Sequence, residues 1–169
     1  MDFQLVPIGS NDLQQYKADM QEAFQKGYEE EFGQAKEEIL PEEDIDQSLN
    51  ADGSVAYKAL VDGKMAGGAI VVINSATQHN HLDFLFVKYG AQSKGIGKAI
   101  WNEVEKLYPQ TKVWETCTPY FEKRNIHFYV NKCGFHIVAF LNEKHPDPDM
   151  PDDFIGDGNE GMFVFRKQM

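Results

Sequence analysis

Residues 82–100 read LDFLFVKYGAQSKGIGKAI, and they constrain the fold more than any other stretch of the chain. The apolar run from Leu82 to Val87 predicts a strand. The loop after it turns glycine-rich at Gln92-Ser93-Lys94-Gly95-Ile96-Gly97, and an amphipathic helix follows without a break. A helix start leaves backbone N–H groups unpaired and carries a partial positive charge, and glycines let an anion approach the main chain. Strand, glycine loop and helix in that order therefore predict a phosphate-holding turn. A Walker loop of the form Gly-x4-Gly-Lys-Ser/Thr does not fit: Gly90 and Gly95 have the spacing, but Ile96 stands where the lysine is needed. A dinucleotide fingerprint G-x-G-x-x-G fails as well, because Ile100 replaces its third glycine. The form that fits is Gln/Arg-x-x-Gly-x-Gly/Ala, carried by Gln92, Gly95 and Gly97. Alone, such a pattern also suits a tight strand-to-helix turn with no ligand.

A second segment narrows the choice. Residues 111–118, TKVWETCT, predict a strand. Thr118 and Pro119 suit the cap and first turn of a helix running from Pro119 to Cys133. Ile126, Tyr129, Val130 and Cys133 recur at i, i+3, i+4, i+7, and Gly134 is its stop. Taken with the loop at Gln92, the pattern Asn125, Phe128-Tyr129, Gly134-Phe135 resembles the GNAT superfamily of N-acetyltransferases, in the form of a small single-domain Firmicute-like member. The likeness covers roughly Leu82 to Phe140. One departure stands out: four residues, Val130 to Cys133, separate the tyrosine from the glycine, where the family usually has three. An α-helix continued through the extra residue turns Tyr129 by about 100°; a different helix end restores the phase.

The resemblance implies acetyl-CoA as cosubstrate, no metal, and transfer of an acetyl group to a primary amine by direct attack on the thioester. It implies that backbone N–H groups of Gln92, Ser93, Lys94, Gly95, Ile96, Gly97 and Lys98 grip the pyrophosphate. Leu85, Phe86 and Val87 would pair their backbone with the pantetheine arm, one N–H facing the thioester oxygen. Asn125 either bonds the cofactor or caps local structure. Tyr129 is the matched acid for the leaving thiolate, with a bonded core aromatic as the bland alternative. For the base, Asp83 shares a strand face with Leu85 and Val87 by period two. Glu115 competes with it, His79 and His81 have suitable chemistry near a strand start, and water can serve instead. Cys117 reads as a small buried residue rather than a nucleophile. A non-catalytic acyl-CoA-binding module of the same fold is the alternative function.

A chain of 169 residues suits one domain, 1–169, with a sizeable core. Without an apolar run of 18 residues no membrane span is expected, and MDFQLVPIGS lacks the features of a signal peptide. Two cysteines make no disulfide scaffold, so a reducing cytoplasm is the expected compartment. Dimers are frequent among GNAT relatives, which makes a homodimer an expected state. Strands are predicted at Phe3–Ile8, Ser54–Val61, Lys64–Ile73, His81–Val87, Thr111–Thr116, Phe135–Leu141 and Gly161–Arg166. Helices are predicted at Asn11 to about Phe24, Glu42–Leu49, Lys94–Tyr108 and Pro119–Cys133. Asp62-Gly63 marks a hairpin. Hairpins first and strand–helix–strand units later predict an α/β (α+β) fold with a mixed sheet of about seven strands and helices on its faces. The resemblance adds that this is the GNAT fold, with a mostly antiparallel sheet.

Sixteen basic and 27 acidic residues give a net charge of −11, which argues against nucleic acid as a partner. The charge is concentrated. Glu29 to Asp46 holds nine acids against Lys36 alone, and His145 to Glu160 holds six acids with no Lys or Arg. Those segments carry −8 and −6; taking −14 from −11 leaves +3 on the rest, where Lys88, Lys94 and Lys98 flank the loop. In GNAT enzymes such segments commonly border the acceptor site, so two acidic rims imply a cationic amine acceptor. Plain solvation of charged surface is the competing reading. The acids around Asp147–Glu160 miss the calcium-loop spacing and read as a Pro-rich acidic loop.

Overall fold

Asp62 and Gly63 both adopt positive φ, 52° and 83°, forming the two-residue turn whose twist matches the strands it joins. It links β2 (Ser54–Val61) to β3 (Lys64–Val72) at the heart of the fold. The computed structural model describes residues 1–92, 94–146 and 161–169. The other strands are β1 (Phe3–Pro7), β4 (His79–Val87), β5 (Val113–Pro119), β6 (His136–Leu141) and β7 (Met162–Gln168). One sheet of seven runs β1-β2-β3-β4-β5-β7-β6. The pairs β1–β2, β2–β3, β5–β7 and β6–β7 are antiparallel, and β4–β5 is parallel through His79–His81 against Val113–Glu115. This is the mixed α/β sheet expected from the order of elements, and it is mostly antiparallel as the resemblance implies.

The chain packs as two units. The first holds Met1–Val72 and Asp83–Pro109. Its helices are α1 (Leu13–Phe32), α2 (Glu42–Leu49) and α3 (Ile96–Leu107). Neighbouring glycines on β3 set the spacing of its layers. A Cβ at Gly67 would strike the Phe86 carbonyl and lie 3.3 Å from Ile100 of α3; one at Gly68 would strike the Tyr57 carbonyl and the Tyr16 ring of α1. Successive residues of a strand face opposite sides, so α1 and α3 cover opposite faces of β3. Tyr16, Met20, Leu40, Ile45, Ile70 and Phe86 form the core on the α1–α2 face. Burial of side chains of this size contributes roughly 1.5–3 kcal/mol each. The Tyr16 hydroxyl donates to the Tyr57 and Ala69 carbonyls at 3.0 and 3.2 Å.

One boundary in this unit departs from expectation. α1 runs to Phe32 rather than Phe24. Tyr28 and Phe32 carry the stripe of Met20 and Phe24 on at four-residue steps, their rings 4.9 Å apart, and most of the residues between are good helix formers. Gly33, at φ 83°, ends the helix by donating its N–H to the Glu29 carbonyl at 2.9 Å.

The second unit holds Ile73–Leu82 and Gln110–Met169. Thr118 and Pro119 do not open a helix: they pair with Phe163 and Met162 as the end of β5. The helix α4 begins later, at Lys123, and runs to His127. It continues through Phe128–Lys132 as a π-turn, in which the Cys133 N–H reaches back five residues to the Phe128 carbonyl at 3.0 Å. The extra residue between Tyr129 and Gly134 is absorbed there. Gly134, at φ 86°, then lets the Phe135 N–H return to the Tyr129 carbonyl at 2.9 Å. Among the described residues, no helix is long and apolar enough to cross a membrane.

Candidate active site

The loop between β4 and α3 is built from the main chain. Lys88 follows the strand directly: its N–H donates to Ala66 at 2.8 Å and its carbonyl accepts from Ala91 at 2.9 Å. Gly90 turns at φ 94°, and its N–H is held by Gln92 Oε1 at 2.7 Å. Gln92 thereby shapes the loop with its side chain. Gly95 caps α3 in the left-handed conformation, φ 76°, and its carbonyl takes the Ala99 N–H at 3.0 Å. No side chain among the described residues caps this end. The N–H groups of Ile96, Gly97 and Lys98 consequently have no acceptor within the helix. A Cβ built at Gly95 meets no described atom within 4 Å, so the space beside it is open. Free donors, an open approach and the flanking Lys94 and Lys98 fit a diphosphate. Ser93 lies outside the described residues.

The strand feeding this loop carries Asp83. Ser48, on α2 and 7 % exposed, donates its hydroxyl to Asp83 Oδ2 at 2.5 Å. Phe86 is buried against Tyr16 with ring centroids 5.4 Å apart, while Leu85 and Val87 are half-buried. Ser48 has no signal in the sequence, because its partner lies 35 residues away.

In the second unit Tyr129 is 7 % exposed, between Phe135 and Phe165 at 5.7 and 5.6 Å. Burial pushes its phenol well above the ordinary tyrosine range, Cys133 adds to that, and a hydrogen bond with the Thr116 side chain opposes it. Thr116 also donates to the Leu82 carbonyl at 2.8 Å. Glu115 points the other way: alternation along β5 puts it on the face opposite Thr116, where Arg166 Nε donates to it at 2.8 Å. The structure therefore does not gather Glu115 with Tyr129. Asn125 Nδ2 donates to Thr118 Oγ1 at 3.2 Å, tying α4 to β5. His79 is exposed and His81 half-buried. Cys117 is half-buried rather than buried as expected, because it shares the outer face of β5 with Glu115.

The first acidic segment is partly neutralised. Lys17 Nζ meets Asp46 at 2.7 Å and Glu42 at 3.6 Å, and Lys26 lies 3.9 Å from Glu29. Asp44 has its carboxyl raised by burial and by neighbouring Glu43. Of the second acidic segment, Asp147–Glu160 lies outside the described residues, and with it the loop weighed against calcium.

A glycine-opened helix after a sheet strand, followed by a phenol on a helix that ends in Gly-Phe, marks an acetyltransferase architecture. The model of the acetyltransferase (GNAT) family matches residues 17–135, and the chain belongs to that family. It is 51% identical over 141 residues to the uncharacterized protein YrkN of Bacillus subtilis (strain 168), covering 83% of this chain and 76% of that one. Solved structures share the fold. PaiA N-acetyltransferase from Thermoplasma acidophilum, in complex with coenzyme A, matches with TM-score 0.67 at 18% identity, over 100% of both chains. Spermidine N-acetyltransferase from Vibrio cholerae, with CoA and spermine, matches with TM-score 0.68 at 13% identity, over 98% of this chain and 95% of its own.

Proposed function

We propose that this chain is an acetyl-CoA-dependent N-acetyltransferase that acetylates a primary amine, with small cationic amines as the favoured acceptors. The observation that carries the reading is the uncapped start of α3 behind Gly95, where three main-chain donors have no acceptor within the helix and the space beside Gly95 is open. Those donors and Lys94 and Lys98 hold the diphosphate, and the main chain of Leu85–Val87 receives the pantetheine arm. The neutral amine attacks the thioester carbonyl; the C–N bond forms and the C–S bond breaks. Asp83, fixed by Ser48, takes the proton lost by the nitrogen. Tyr129, kept protonated by burial, donates to the departing thiolate. A backbone N–H aimed at the carbonyl oxygen contributes several kcal/mol in such sites. The spermine bound to one structural relative supports an amine acceptor, and the surplus of acids around α2 supports a cationic one.

Thermal unfolding with added CoA tests the cofactor, and thiol release with a panel of amines tests the reaction. CoA at a hundredfold excess over its dissociation constant is expected to add about 2.7 kcal/mol. Spermidine is expected to release thiol faster than a neutral amine, with a KM that rises with salt. Loss of CoA binding in a folded Gly97→Trp variant places the ligand at the loop; unchanged binding there overturns that placement. CoA binding without thiol release across the panel makes the chain a binding module instead.

A further inference from the structure

One buried carboxylate takes no part in the chemistry above. Asp19, on α1 between the core positions Tyr16 and Met20, is 4 % exposed. Gln15, one turn earlier, donates to its Oδ1 at 2.7 Å. Its Oδ2 is buried and receives no hydrogen bond among the described residues. Lys88 Nζ stands 3.7 Å from that oxygen. A buried carboxylate is costly to desolvate, and an ion pair at this separation offsets little of that. Asparagine would fill the same space and keep the Gln15 contact without the charge. Stability of the fold gives no reason for an acid here.

Lys88 gives one. It is the residue at which β4 becomes the glycine loop, and both its backbone groups are already engaged, with Ala66 and Ala91. Its side chain adds a third tie, to α1 through Asp19. We infer that Asp19 is a positioning residue for the diphosphate loop: acting through Lys88, it anchors the loop's first turn to α1 and keeps one ammonium at the foot of the loop. The inference rests on the proposed acetyl-CoA grip. It assigns Asp19 a part in cofactor affinity, not in the transfer step.

Calorimetric titration with CoA of the wild type, Asp19→Asn, Lys88→Met and the double variant tests it, beside the unfolding midpoint of each. Each single change is expected to weaken CoA binding about fivefold, and the double change no further than the worse single one. Lys88→Arg, which keeps the cation, is expected to hold the wild-type affinity. Asp19→Asn is expected to unfold no earlier than the wild type, since a buried charge is gone. Losses that multiply in the double variant overturn the inference, as does an Asp19→Asn chain that binds CoA normally or loses affinity only alongside a lowered midpoint. A wild type that fails to bind CoA overturns the loop's cofactor role, and this inference with it.

Discussion

Tyr129 owes its place to ring contacts with Phe135 and Phe165, and its proposed role as the acid to one oxygen atom. Phenylalanine preserves the first and deletes the second. Tyr129→Phe is therefore expected to lower kcat about a hundredfold, the range of a lost proton donor, while CoA affinity stays within about twofold. Ser48→Ala is expected to lower kcat less, about tenfold, with Ser48→Thr restoring it, because in the proposed mechanism serine acts only through Asp83. Thiol-release kinetics paired with CoA titration separates the two quantities; unchanged kcat in Tyr129→Phe would return that residue to packing. Tyr129 stands out as a candidate in the sequence because Phe-Tyr and Gly-Phe are local patterns. Lys88 stands out beside the loop, but its tie to α1 does not, and neither Ser48 nor Asp19 stands out, because each is defined by a partner on a distant element. Glu115 looked equivalent to Asp83 in the sequence; its bond to Arg166 follows from the β5–β7 register, which no local pattern shows.

At the level of elements, strands were read well where alternation and turn residues agree. β2 matches its expected bounds, and β3 and β4 begin or end within two residues of them. The end of β5 was misread because Thr-Pro is a good helix opening, yet ladder pairing to β7 outweighs the capping preference. The π-turn after Tyr129 was legible only as a miscount. It has a measurable consequence. Deleting one residue from a regular α-helix rotates all that follows by about 100°. Deleting exposed Asn131 instead converts the π-turn to an α-turn and leaves Tyr129 and Phe135 in register. The Asn131 deletion is expected to fold with a midpoint within a few degrees of wild type, whereas deletion of exposed Arg124, in the regular turn, is expected to lower it by well over 10 °C. Equal damage from both would show that the turn does not absorb the residue.

For the whole molecule, the buried phenols link stability to alkaline pH. Tyr16 and Tyr129 are pushed far above the ordinary tyrosine range by burial, and Tyr108 by partial burial together with its hydrogen-bonded neighbour Tyr57. Unfolding frees each to ionise near its ordinary value of about 10. Below that pH both states keep the proton, so these groups lend the fold no pH dependence. Above it the unfolded chain binds fewer protons than the native one, and stability falls as pH rises towards the raised native values. Urea unfolding between pH 8 and 12 is the measurement. The wild type is expected to hold its midpoint to about pH 10 and then lose stability with a slope approaching 1.4 kcal/mol per pH unit for each buried phenol. Tyr129→Phe removes one such group, so its loss of stability is expected to be shallower by that amount. Parallel curves for the two proteins would mean that the Tyr129 hydroxyl ionises as readily inside the fold as outside it.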